Sequence, residues 1–186
     1  ASHTRLEHSI GVAHLASLMG KHLKEQCDRV TERDVECLEI AGLLHDVGHG
    51  PFSHLFEEYM RECRDPSWSH EVIGETIIER LLTRMDFETC DIAFVKLLIS
   101  GLPSGKPIPS DVRRDENVRF LCDVVHNCTS GIDVDKLDYL LRDALSVFGA
   151  THSVDATRII RASRIIEGNV LAFDQRVASS IEQIYE

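Results

Sequence analysis

Residues 41–54, AGLLHDVGHGPFSH, constrain this chain more than any other stretch. The apolar lead-in, Ile40, Ala41, Leu43 and Leu44, reads as the buried end of a helix, and His45 and Asp46 follow at once. Neighbouring side chains on a regular helix diverge by about 100°. The two can therefore turn toward one ion only where the backbone is leaving its helix, and Gly48, Gly50 and Pro51 supply that ending. His49 and His54 complete four ligand- or proton-competent groups within ten residues. Imidazole and carboxylate are the usual ligands of Zn, Fe and Mn. A His-Asp pair alone would read as a helix C-terminus with a polar loop. The density of histidines here, and the partners below, outweigh that reading.

Taken in order, residues 5–26 carry Leu6, Ile10, Val12, Ala13, Leu15, Leu18, Met19 and Leu23 at helical spacing. Ser2 or Thr4 can cap this helix, with Glu7 three residues after Thr4 as in a capping box. His8 lies in the second turn and can face inward, one turn after Arg5. Thr31 with Asp34 opens a second helix that runs to about residue 47. A short helix is expected over 52–63, with His54 and Glu57 on one face, and another over 70–84 after Ser69, with His70 and Glu71 in its first turn. Residues 91–100 and 117–128 also read as helical. The stretch between them is rich in Pro, Gly, Ser and charge, and is expected to be a mobile loop. GIDVDKLDYLLRDAL (131–145) opens with Asp133, Asp135 and Asp138 around Lys136 and continues as a helix. One acid there is explained as a cap; three with a lysine are not. Asp135, Tyr139 and Asp143 share a face. Residues 164–173 read as a β-hairpin turning at Glu167, Gly168 and Asn169, and 174–186 as the start of a further helix. The expected fold is all-α, with a small hairpin near the C-terminus.

Composition narrows the function. A chain of 186 residues with 43% hydrophobic content fits one domain with a real core. A net charge of −11 argues against a general nucleic-acid or membrane-surface binder, so an anionic ligand would need local basic groups or a metal. Cys27, Cys37, Cys63, Cys90, Cys122 and Cys128 form no CxxC pair, which points to free thiols in a reducing, intracellular compartment. No apolar run is long enough to span a bilayer. The chain opens inside a motif and stops within a helical pattern, so it is expected to be a piece of a longer protein, truncated at both ends. His8, His45, Asp46 and Asp135 come from three separate predicted helices. Two imidazoles and two carboxylates suit one divalent ion with open positions for water.

Together, RLEHS, HDVGHGPFSH, WSHE and GIDVDKLDY resemble the HD-domain superfamily of metal phosphohydrolases, nearest to its deoxynucleoside triphosphate triphosphohydrolases, over nearly the whole of residues 1–186. The resemblance implies a single HD domain in which His8, His45, Asp46 and Asp135 hold one divalent ion, Fe, Zn, Mn or Mg, with Mg also accompanying the nucleotide. It implies that His49, His54 and His70 lie in the catalytic pocket, that Arg5, Lys136 and Tyr139 contact the triphosphate, and that Asp143 holds the sugar 3′-hydroxyl. His54 is the expected general acid, since histidine titrates near ~6.5. Glu57, where near relatives have Asp, or Glu71 would orient His54 or His70. Phe173 and Gln175 stand where those relatives carry basic residues that touch a regulatory nucleotide, while Arg158 matches. The implied activity is attack at the α-phosphorus of dGTP and other dNTPs, releasing deoxynucleoside and inorganic triphosphate. A nucleotide activator, a homo-oligomer of the full-length protein and a nuclear or cytoplasmic address come from the resemblance alone. The competing expectations are another HD-type phosphohydrolase, a 5′-nucleotidase or a phosphodiesterase, in which His49, His54 and His70 would serve a second ion, and a non-catalytic nucleotide-sensing domain.

Overall fold

The computed structural model describes residues 3–148, 155–167, 169–182 and 184–185. It is mainly helical, and its only strands among the described residues form one antiparallel hairpin. Ser2 and Gly168, expected as an alternative cap and a turn residue, lie outside the described residues.

Helix α1 (Arg5–Lys24) starts with the expected capping box: Thr4 accepts from the Glu7 amide, and the Glu7 carboxylate takes the Thr4 amide in return. It buries Val12, Ala16, Met19 and Leu23 on one stripe. Helix α2 (Glu32–Leu44) is capped in the same way by Thr31 and Asp34, and it stops three residues short of the expected end. His45 is therefore its capping residue. Val35, Leu38 and Ala41 of α2 close over α1, which makes this the most extensive helix–helix contact of the fold. Each fully buried Val, Leu or Met side chain in this seam contributes roughly 1.5–3 kcal/mol.

Helix α3 (His54–Cys63) begins two residues later than expected, and only Glu57 among its residues is buried. Helix α4 (His70–Arg84) has the expected bounds, and Ser69 accepts from the Glu71 amide. Helix α5 (Thr89–Ser100) buries Phe94, Val95 and Leu98 against α2. Residues 117–128 are not one helix. A 3-10 turn (Glu116–Leu121), capped by Asp115, leads into a single α-turn, α6 (Cys122–Val125). The stretch is buried almost throughout, at Val118, Phe120, Leu121, Cys122, Val124 and Val125, so it carries no period to tell one geometry from another. Helix α7 (Val134–Phe148) packs on α1. A short α8 (Ala156–Arg161), which the sequence reading did not anticipate, precedes β1 (Ser163–Ile166) and β2 (Val170–Phe173), paired with Ser163 opposite Phe173. After a 3-10 turn (Gln175–Val177) comes α9 (Ala178–Glu182).

Residues 101–115 form the expected irregular segment, with anchors that its composition does not announce. They carry no helix or strand, yet they are anchored rather than loose. Ile108 and Val112 are buried, and Arg114 reaches into the core with its Nε 2.6 Å from Asp34 Oδ1 and its Nη2 2.6 Å from Asp91 Oδ1. Arg33 takes the other oxygen of Asp91 at 2.7 Å. Asp34 thus serves α2's capping box with one oxygen and this ion network with the other. Polar composition marks a segment as irregular, but two buried carboxylates need cations, and Arg114 of the irregular segment is one of them.

Arg114→Ala leaves Asp34 without its cation and Asp91 with only Arg33. The expected cost is about 3–5 kcal/mol, read as a lowered urea midpoint at unchanged slope.

Candidate functional site

Three chain segments bring the predicted ligands together. His8 enters from the first turns of α1, His45 from the end of α2, and Asp135 from the first turn of α7. One nitrogen of each histidine and one oxygen of Asp135 lie within 4.8 Å of one another. His8 Nε2 is 3.0 Å and His45 Nε2 3.5 Å from the same Asp135 Oδ1. Ligand atoms held ~2.1 Å from one ion in a tetrahedral arrangement stand roughly 3.4 Å apart, so these separations fit a single ion.

The donor chemistry fits as well. His45 Nδ1–H donates to the Gly42 carbonyl at 2.8 Å, which leaves Nε2 to face the trio. That nitrogen is buried and has no hydrogen-bond partner. A buried, orphaned imidazole nitrogen is costly unless something occupies it. His8 Nδ1 is 2.7 Å from Asp138 Oδ2, which turns its Nε2 to the trio, 3.0 Å from Asp135 Oδ1. Asp46 borders the trio without joining it: Oδ1 is 3.5 Å from His45 Nε2 and 3.6 Å from His49 Nε2, and Arg5 pairs with Oδ2. Arg5 also reaches Ser53, tying the start of α1 to the residue before α3.

The glycines after Asp46 act otherwise than expected. Neither Gly48 nor Gly50 has a positive φ; that conformation falls on Phe52 (65°) and Ser53 (50°). Gly48 is needed for contact instead, since a Cβ there would lie 1.9 Å from the His70 carbonyl oxygen of α4. This close approach sets His49 against His70, with ring centroids 4.0 Å apart and planes stacked. His54 stands edge-on to both, at 5.4 Å and 5.7 Å. Of the two orientations considered for Glu57, the structure favours His70, at 2.5 Å from Nδ1, over His54, at 3.9 Å; Arg61 takes the other carboxylate oxygen. Ser69 caps α4 through the Glu71 amide and donates its hydroxyl to the Glu71 carboxylate. His45, Asp46, His49, His70 and Asp135 line one end of a cavity of about 390 Å³ that runs between α4 and α5.

The remaining predicted residues lie along α7. Lys136 follows Asp135, and its Nζ sits 4.7 Å from the centre of the Tyr185 ring. Tyr139 is half-buried. Burial, together with the charges of Asp135, Asp133 and Asp143, pushes its hydroxyl above the ordinary value, so it remains a hydrogen-bond donor. Asp143 is exposed one turn further on. None of these three lines the 390 Å³ cavity. The three acids that open α7 divide their tasks: Asp133 accepts the Lys136 and Asn127 amides, Asp135 faces the trio, and Asp138 meets His8. Asp138, bonded in turn by Arg142, was not anticipated as part of the site. Its only sequence signal is the three-residue spacing from Asp135.

Burial pushes the His8 imidazole down, but its hydrogen bonds to Asp135 and Asp138 outweigh this and hold it up at about 9. Burial also opposes charge on His45, and Asp135 and Asp46 overcome it, so that group is raised too. Asp135, despite burial, is held well below the usual carboxylate range by both histidines. His49 goes the other way: burial lowers it, against the charge of Asp46. In the metal-free protein the charged form of His8 thus adds stability below its ordinary 6.5, and that stability is lost as pH rises through about 9. An ion entering the trio must displace the same proton. Metal uptake is therefore expected to strengthen at least about tenfold per pH unit toward pH 9, measured by chelator competition, while thermal melts of the metal-free protein fall over the same interval.

Comparison with known proteins agrees with this arrangement. The family model for the HD domain matches residues 5–143. The chain is 36% identical over 207 residues to the deoxynucleoside triphosphate triphosphohydrolase SAMHD1 of Gallus gallus, covering 100% of this chain and 33% of that protein. It is 37% identical over 185 residues to the SAMHD1 of Homo sapiens, covering 90% of this chain and 29% of that one. It is 32% identical over 204 residues to a putative HD domain-containing protein, L394, of Acanthamoeba polyphaga mimivirus, 42% of which it covers. The chain thus spans about a third of the length of the SAMHD1 proteins it matches. With its His-Asp stretch at the end of α2 and its partner aspartate at the start of α7, the chain belongs to the HD-domain family of metal-dependent phosphohydrolases.

Proposed function

We propose that residues 1–186 form the catalytic HD domain of a metal-dependent deoxynucleoside triphosphate triphosphohydrolase, which cleaves a dNTP to deoxynucleoside and inorganic triphosphate. The observation that carries this reading is the orphaned Nε2 of His45, buried beside His8 and Asp135 and bordered by Asp46 and Arg5. The name shared by the relatives supplies the substrate class.

In this reading His8, His45 and Asp135 would hold the ion, and Asp46 lies beside His45. A divalent ion bound there supplies acidified water and polarises the phosphoryl group. Arg5, at the mouth of the trio, and Lys136 and Tyr139, on α7, offer donors to the phosphate oxygens, which lets a chain of net charge −11 accept a polyanion. His54 is exposed at the start of α3 and gives its proton to the departing 5′-oxygen. His70, fixed by Glu57, and His49, stacked on it, complete the wall beside it. Asp143 would hold the sugar.

A two-ion phosphoesterase is the second reading, favoured by the grouping of His54, Glu57 and His70 within 4.8 Å. Against it, Glu57 is already engaged by His70 and by the guanidinium of Arg61, which would repel a second dication.

With dGTP and metal, the full-length protein is expected to release triphosphate, resolved from pyrophosphate and orthophosphate by ion-exchange chromatography. Release of either smaller product would move the attack to another phosphorus. Asp135→Ala should lose ion and turnover together. His54→Ala should keep one ion per chain and lose about 10²–10⁴-fold in kcat; a parental rate would assign the proton to another group, and two ions in the parent would favour the second reading.

A further inference from the structure

We propose that Asp138 is a positioning residue that sets the proton and the direction of the His8 ring, and that Gly11 and Arg142 hold it in place. The proposal rests on the reading of His8, His45 and Asp135 as a metal site.

A carboxylate can only accept. With Asp138 Oδ2 2.7 Å away, His8 Nδ1 carries the ring proton and donates it. Nε2 faces Asp135 at 3.0 Å and shares a proton with it in the same way; that is the proton an ion would displace, and with Asp138 keeping the other on Nδ1 the Nε2 lone pair would be left for the ion. Asp135 and Asp138 lie three residues apart on one face of α7 and grip the two nitrogens of a single ring on α1. Arg142, one turn further on, closes on Asp138 with Nε 2.6 Å from Oδ2 and Nη2 3.2 Å from Oδ1. On an exposed helix such a pair adds little. Here Asp138 is 3% exposed and closed in by His8 and Arg142, so its place is fixed.

The facing helix makes room for this arrangement. Gly11 lies three residues after His8, on the side of α1 turned to α7. A Cβ there would sit 1.9 Å from Asp138 Oδ1 and 2.3 Å from Arg142 Nη2. Arg142 is long enough to shift. Asp138 is short and enclosed, so its carboxylate would have to leave the His8 nitrogen.

The test measures metal affinity without substrate, by competition with a chromophoric chelator for Zn²⁺ or Mn²⁺, on the parent chain, Asp138→Asn and Gly11→Ala. The asparagine amide can donate to Nδ1 and drive the ring proton to Nε2, where it opposes the ion. Affinity is expected to fall ten- to a hundredfold, and Gly11→Ala to fall in the same direction although it removes no polar group. On the zinc-loaded parent, ¹⁵N spectra of the His8 ring should show the proton on Nδ1. Melting of the metal-free variants separates this role from a merely structural one, which would lower the melting temperature and leave affinity unchanged. If the parent binds metal and both variants bind it equally, this proposal fails and the metal reading stands. If the parent binds no divalent ion, both fail. Should Asp138→Asn not fold, Gly11→Ala decides alone, and parental affinity there overturns the proposal.

Discussion

A single imidazole between two carboxylates carries much of the architecture. His8 is gripped on one nitrogen by Asp135 and on the other by Asp138, and through them α1 is joined to α7 at the point where both begin. The core seam between α1 and α2 then sets where His45 can stand, because Leu38 and Ala41 must stay buried for the end of α2 to reach His8. The candidate centre is therefore assembled from helix ends, each anchored by packing a few turns away. Such ends bring polarity of their own. The start of α7 favours the negative charge of Asp135, and the end of α2 favours the positive character that His45 acquires among carboxylates.

Much of this was legible in the sequence because it is local. Thr4 with Glu7, and Thr31 with Asp34, are capping boxes that announce α1 and α2 wherever they occur. The histidines of residues 45–54 are dense enough to mark a site, and their convergence with His8 and Asp135 followed the resemblance of the surrounding motifs. What stayed hidden depends on contacts between distant segments. Nothing near Arg114 says that Asp34 and Asp91 await it in the core. Asp138 belongs to an acid cluster that capping does not explain, and only its partner on α1 shows what distinguishes it from Asp133. In the sequence the glycines of the His-Asp stretch read as the ending of α2, yet at Gly48 the backbone of α4 comes too close for any side chain.

Charge explains why an acidic chain can be organised around more acid. Asp34, Asp91, Glu57 and Asp138 are all buried, and each has a cation or imidazole beside it: Arg114, Arg33, His70 with Arg61, and His8 with Arg142. Breaking one member of such a pair costs far more than the pair contributes. The buried carboxylates thus enforce specificity of arrangement more than they add stability.

The kink at Phe52 and Ser53 bears on the proposed proton donor that follows it. Two successive residues that are not glycine, one of them aromatic and fully in solvent, adopt the left-handed region where a side chain is disfavoured by roughly 1–3 kcal/mol each. The hydroxyl of Ser53 is held by Arg5, whose guanidinium is itself held by Asp46. The bend is thereby clamped from the rim of the candidate centre. His54 is aimed by the course of the main chain as well as by its edge contacts with His49 and His70, so a polyanion that drew Arg5 away from Ser53 would loosen one of the two supports of that histidine.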